Sequence, residues 1–311
     1  MALLTTRQVY IMMIITALFW SGAFISGKLA VQEFPAFALI FFRFCFALPF
    51  IFIILRLREP GSLYPNKEQW VPLTILGVAG TFLYHALFFS SLKYTTAINS
   101  SLIGSTNPMF TTLLATLFLG EKINRGRVGG VLLSLAGVIL TVTNGEWSII
   151  REFRFNPGDL FMFAAVWSWA GYSVLSRKYM QKYAISPLIM TAYTFLICTF
   201  VSIPFVLWER PMSYLPYTTL GGWLAIIYMA IFASVLGYLF QLMAISQVGA
   251  SKTNIFINLV PVFTIVLSLL ILGESFSLFK FVSAGVIITG VYLTTRPEAV
   301  RSQVPEVREL G

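Results

Sequence analysis

Residues 97–121 read AINSSLIGSTNPMFTTLLATLFLGE, and residues 250–274 read ASKTNIFINLVPVFTIVLSLLILGE. The two stretches align without gaps and agree at 9 of 25 positions, including Pro108 with Pro261 and a closing Leu-Gly-Glu in each. The register continues, since Gly137-Val138 recurs as Gly290-Val291. Ala17, Trp20, Ser21 and Ala23 find matches in Ala164, Trp167, Ser168 and Ala170. Self-similarity on this scale marks a duplicated structural unit.

What was duplicated follows from composition. The chain has 311 residues, a mean hydropathy of +0.83, 58% hydrophobic residues and 11% charged ones. Globular domains carry about 25% charged residues, so a water-facing surface of the usual kind cannot be built. Apolar runs of roughly 20 residues span a hydrocarbon core as helices, and they succeed one another at 9–31, 36–56, 71–92, 97–119, 128–144, 159–177, 188–208, 219–243, 250–272 and 280–295. The expected fold is an all-α membrane protein of ten transmembrane helices. Residues 1–145 form the first five-helix repeat, 146–156 a linker, 157–296 the second repeat and 297–311 a cytoplasmic tail. Because five is odd, the second repeat enters the bilayer from the opposite face. Inverted repeats of that kind underlie alternating access, with substrate held near the midplane where they meet.

The formal net charge of +9 does not signal nucleic acid, because its cations are scattered over short loops. With both termini cytoplasmic, 13 Lys and Arg residues lie inside and 5 outside, as the positive-inside rule requires. The first span, preceded by Arg7, is too long for a signal-peptide core. A prokaryotic inner (cytoplasmic) membrane is the expected location. Cys45 and Cys198 both fall within spans and are expected to serve packing.

Trp20-Ser21-Gly22, Arg43-Phe44, Asn107-Pro108 and Leu119-Gly120-Glu121, with their partial repetition in the second half, resemble the EamA-type branch of the drug/metabolite transporter superfamily. The resemblance covers nearly the whole chain. It implies a basket of ten helices as two inverted repeats, and export of amino acids and related metabolites. Span seven has no arginine matching Arg43, so the resemblance gives that residue no symmetric partner.

The residues themselves suggest where a solute is held. A proline inside a span removes a hydrogen bond and frees the carbonyl four residues back, here Gly104 for Pro108 and Ile257 for Pro261, and these two prolines are the expected helix breaks. Ser101, Ser105 and Thr112 share a helical stripe with Pro108, as Asn254 and Asn258 do with Pro261. They read as a polar cavity wall or as interhelical glue. Ionisable residues within spans are functional candidates. Lys28 and Lys252 lie near span ends and can reach headgroups, whereas Arg43 and His85 lie at similar depths from the outer face and can meet one ligand. Trp20, Tyr84, Phe88 and Trp167, with Phe24, Tyr172 and Tyr238, are aromatic candidates for the cavity wall, or interface anchors.

No Asp or Glu lies deep in a span. A lipophilic-cation pump would be expected to hold a buried carboxylate, so a substrate with an anionic end fits better. With one histidine and two cysteines in unrelated spans, no nucleophile pair or ligand cluster emerges; no enzyme activity, metal or cofactor is expected. The function read from the residues is transport of small polar metabolites, with a passive channel or facilitator and a drug-efflux carrier as alternatives. The expected partners are the metabolite and the lipid bilayer, with no nucleic acid, the protein being a monomer or a weak homodimer.

Overall fold

The computed structural model describes residues 5–61, 63–119, 125–152 and 154–295. Gly120, Glu121 and Lys122, and Arg296 with the 297–311 tail, lie outside the described residues. The first half contains α1 (Thr6–Ala30), α2 (Ala36–Arg58), α3 (Lys67–Tyr94), α4 (Ala97–Gly104), α5 (Asn107–Leu119) and α6 (Arg125–Thr143). A short α7 (Trp147–Arg151) leads to α8 (Pro157–Lys182), α9 (Pro187–Trp208) and α10 (Leu220–Val248). Then follow α11, built of Ala250–Asn254, Ile255–Asn258, Leu259–Leu267 and Ser268–Leu272, and α12 (Leu278–Thr295).

Six of these helices among the described residues are long and apolar enough to cross a membrane: α1, α2, α3, α9, α10 and the Lys252–Leu272 stretch of α11. α6 and α12 carry shorter apolar stretches, Val128–Thr143 and Leu278–Thr294. Polar residues set the ends. Thr5 and Gln8 form a reciprocal capping box on α1, and Asn156 and Ser186 cap α8 and α9, each followed by a proline at the first helical position. The chain is a multi-pass helical membrane protein.

The prolines act differently from mid-helix kinks. α4 stops at Gly104 and α5 starts at Asn107, which puts Pro108 in the first turn of a new helix, where its missing N–H removes no bond. Ser105 and Thr106 promote the break by donating their hydroxyls to Leu102 O at 2.6 Å and Ile103 O at 2.7 Å, a local bond that competes with helix continuation. In the second half the disturbance is milder, a 3₁₀ turn at Ile255–Asn258 ahead of Pro261. A further irregularity recurs: π-helical turns occupy Leu76–Phe82 in α3 and Met229–Leu236 in α10, starting 153 residues apart, as Ala97 and Ala250 do.

Packing between the halves follows a reciprocal scheme. α2 packs on α9 and α6 on α12; α3 packs on α8 while α1 packs on α10; α1 packs on α11 while α8 packs on α4 and α5. Exchanging each helix for its repeat partner returns the same set of pairs. Glycine permits a close approach between α6 and α12. A Cβ on Gly130 would fall 2.5 Å from the Gly290 carbonyl, and one on Gly137 equally close to Ile287. Carboxylates tie the halves at helix starts, where they oppose the positive end of the dipole. Glu33 accepts from the Thr219 amide, Glu209 from the Phe37 and Ala38 amides, and Glu274 from those of Ala97 and Ile98. Burial raises the Glu209 carboxyl above its ordinary range, and the two amides oppose that rise. Lys28 finds partners in the Leu92 and Thr95 carbonyls at 2.7 and 2.6 Å, whereas Lys252 is exposed. Cys45 and Cys198 are free thiols, the latter buried.

Candidate functional site

Helices from both halves enclose a cavity of about 590 Å³, the open space at its mouth included. α1 supplies Trp20 and Phe24, α2 Arg43, and α3 Tyr84, His85 and Phe88. The opposite wall takes Trp169 from α8 and Tyr238 from α10. The helix breaks contribute Gly104 and Asn107 from the first half and their repeat equivalents Ile257 and Val260 from the second. Asn107 is fixed by donating from Nδ2 to Val166 O at 3.2 Å.

Arg43 is 3% exposed. Its Nε donates to Ser234 Oγ at 2.7 Å, and its guanidinium carbon lies 5.6 Å from the centre of the Phe44 ring. Among the described residues its terminal nitrogens have no hydrogen-bond acceptor and its charge no carboxylate partner. The phenols of Tyr84 and Tyr238 and the Cys198 thiol are its electrostatic neighbours. His85 is 1% exposed, with Nδ1 2.7 Å from Thr81 O. A carbonyl only accepts, so Nδ1 carries the hydrogen, and Nε2 has no hydrogen-bond partner among the described residues.

Aromatic rings give the cavity its apolar walls. Trp169 meets Trp20 edge-on at 5.5 Å and Tyr84 at 4.6 Å, while Phe24 and Phe88 pair edge-on at 5.0 Å. Trp20 is held by donation from Nε1 to Ala233 O at 3.1 Å. Gly104, which has no side chain, presents main chain to the cavity. Its carbonyl accepts no hydrogen bond among the described residues, since α4 ends there and Pro108 has no N–H. The site thus combines an unpaired guanidinium, an imidazole nitrogen, a bare carbonyl and aromatic surface, and no Asp or Glu is among its lining residues.

Of the residues singled out from sequence, Arg43, His85, Tyr84, Phe88 and Trp20 come together in the cavity. Trp167 does not: it is 42% exposed and packs on Phe110 with ring centres 4.3 Å apart. The repeat register was two residues out. Aligning Trp20-Ser21-Gly22 with Trp169-Ala170-Gly171 puts both tryptophans in the cavity. It also pairs Lys28 of α1, which donates to Leu92 O near the end of α3, with Arg177 of α8, whose guanidinium abuts Gly249 just past the end of α10. The W-x-G spacing and the matched cations were the signal that would have found Trp169.

Three further expectations are corrected. Ser105 turns its hydroxyl back to Leu102 and does not line the cavity. Asn254 is fully buried between helices, donating to Thr111 Oγ1 at 2.8 Å and accepting from Gln241 Nε2 at 3.3 Å. That is the interhelical tie, not the wall. Asn258 lies off the cavity with its Oδ1 buried and unpartnered. Pro108 and Pro261 themselves stand behind the wall residues Asn107 and Val260.

Known proteins give this arrangement a context. The chain matches the EamA-like transporter family over residues 7–143 and 156–296. An uncharacterized transporter of Bacillus subtilis (strain 168), YyaM, is 35% identical over 91% of this chain and 92% of its own length. An uncharacterized transporter of Archaeoglobus fulgidus is 33% identical over 93% and 97%. The uncharacterized inner membrane transporter YhbE of Escherichia coli (strain K12) is 25% identical over 81% and 78%. A crystal structure of a protein 21% identical in sequence superposes with a TM-score of 0.66 over 93% of this chain and 97% of that one, which shows the shared fold. Two copies of the family's domain on one helical chain, with relatives over nearly its full length, place the protein in the EamA-like transporter family, as a multi-pass membrane transporter.

Proposed function

We propose that the protein is a ten-span carrier of two inverted five-helix repeats, which exports small polar metabolites with an anionic end, amino acids among them, across a prokaryotic inner membrane by alternating access. The observation that carries this reading is Arg43: a buried guanidinium with one neutral hydrogen bond, facing a cavity without a carboxylate. An unpaired intramembrane charge is costly, and the planar guanidinium fork matches a carboxylate bidentately. The Gly104 carbonyl and Asn107 are suited to the donor groups of such a solute, and the tryptophan and phenylalanine rings to its apolar part.

The reciprocal packing of the halves supports the inverted repeat, and a cavity walled by both supports access that alternates between them. Cytoplasmic termini rest on the loop charges, the inner membrane on the location in the Escherichia coli relative's name. Export is the direction the family resemblance implies. The lack of a carboxylate in the cavity favours facilitation along the solute gradient over proton exchange at an acidic site.

Uptake of labelled amino acids, organic acids and a lipophilic cation into proteoliposomes tests this. Saturable counterflow of carboxylate-bearing solutes is expected. Preference for the cation would refute the recognition model, and single-channel currents would refute the carrier.

A further inference from the structure

A second set of polar groups runs from the cavity into the helix seam behind it, and only Tyr238 among them belongs to the site described so far. The hydroxyls of Tyr172, Ser173 and Ser176 on α8, with the Tyr238 hydroxyl and Gln241 Oε1 on α10, are buried without a hydrogen-bond partner. The Tyr172 hydroxyl lies near those of Ser176 and Thr194 but forms no aligned bond with either. α8 packs on α10 here, with the Tyr172 and Tyr238 rings 5.8 Å apart. Tyr238 lines the cavity, and Ser176 and Gln241 lie about one turn further toward the C-terminal ends of their helices. Those ends are the cytoplasmic ones in the topology proposed above.

The repeat supplies an internal control. In the register that pairs Trp20 with Trp169, Phe24 corresponds to Ser173 and Gly27 to Ser176; in the 97/250 register, His85 corresponds to Tyr238 and Phe88 to Gln241. The equivalent seam between α1 and α3, on the outer side, is sealed by the Phe24–Phe88 ring pair and by Leu92 over Gly27. One architectural contact is therefore made twice, once with aromatic rings and once with unpartnered hydroxyls and an amide. Burying such groups without partners is unfavourable. Packing alone does not account for them, because the outer copy packs without them. They are accounted for by a second state in which the seam opens and they are hydrogen-bonded.

We infer that the α8–α10 seam is the cytoplasmic leg of the translocation path. Tyr172, Ser173, Ser176 and Gln241 hydrogen-bond the polar solute and its water when the inner side opens, and the Phe24–Phe88 pair then keeps the outer side shut. This rests on the alternating-access reading and adds to it the route and the residues that line it.

Single cysteines at Ser173 and Ser176, in a Cys45→Ala/Cys198→Ala background, test the route in oriented vesicles treated with a charged, membrane-impermeant thiosulfonate. Ser173→Cys and Ser176→Cys are expected to react from the cytoplasmic face only, and Phe24→Cys, in the cavity wall, from either face. If the cysteine-free background does not fold, Cys198 stays and the unmutated protein sets the baseline. Ser173→Phe, which transplants the outer residue, is expected to abolish transport while preserving a folded protein. Inert cysteines at both serines, or labelling from the outside, overturn the route. Carboxylate uptake is measured on the same preparations: labelling without uptake retires the substrate reading and keeps the path, whereas uptake with inert cysteines retires the path alone.

Discussion

Arg43 is anchored through Nε to Ser234, which leaves the outer fork of its guanidinium to a ligand. A lysine in its place keeps the charge but loses both the anchor and the fork. A hydrogen bond to a charged group contributes about 1.5–3 kcal/mol, so Arg43→Lys should weaken apparent affinity for a carboxylate substrate by roughly 10- to 100-fold. Uptake kinetics on protein that elutes as a single folded species read this directly, and an unchanged KM would make Arg43 structural. The two tryptophans of α8 provide a sharper contrast. Trp169→Ala removes a ring that touches Trp20, Tyr84 and Tyr238, while Trp167→Ala removes one that is 42% exposed. Transport should fall strongly in the first and stay near that of the unmutated protein in the second. Equal effects would mean that the cavity is not where the solute sits.

At the scale of elements, the polar chain Gln241–Asn254–Thr111–Asn107 links α10, α11 and α5 through side-chain bonds of 3.3, 2.8 and 3.1 Å. Asn254→Leu strands the Gln241 amide N–H in the interior, at about 1–3 kcal/mol for an unpaired group, while Thr111 keeps its bond to Asn107. A fall in detergent melting temperature is expected, and a cysteine at 254 should resist polar thiol reagents; ready labelling there would restore Asn254 to the cavity wall. The α6–α12 contact has less room for adjustment. A Cβ at Gly130 meets the Gly290 carbonyl and the Thr294 amide, which are main-chain atoms with no rotamer to give way. Gly130→Val should therefore eliminate folded protein from membranes, measured by fluorescence-detected size exclusion, whereas Gly129→Val, at a site with nothing within 4 Å, should be tolerated.

For the whole molecule, the charge asymmetry predicts an orientation that one fusion can check. A reporter active only in the periplasm, joined after Leu310, should stay silent, and a strong signal would exchange inside and outside for every residue discussed. The same orientation places Glu33, Glu209 and Glu274 on one side, each bound to the start of a helix from the other half. These ties join the halves at that face. The α8–α10 seam lies toward the other, so a rocking motion of one half against the other would separate its polar groups while the carboxylate ties act as the hinge side or break in turn.

Composition, the duplication and six of the expected spans were legible in the chain, because transfer of apolar residues into lipid is nearly additive and needs no knowledge of neighbours. For the same reason the sequence singled out Arg43 and His85: an ionisable group in an apolar run stands out wherever its side chain points. The direction of a side chain was not legible in the same way. Each helical residue turns the chain by about 100°, so a two-residue slip in the repeat register sends a tryptophan to nearly the opposite face. The packed helices separate Trp169 from Trp167 outright, whereas in the sequence only the W-x-G spacing and the matched cations do. Likewise Asn254 and the Pro108 break were visible as polar and helix-breaking residues. Whether they face solute, a neighbouring helix or their own backbone depended on Thr111, Gln241 and the Ser105 and Thr106 hydroxyls, partners that tertiary packing and local chain geometry bring within reach.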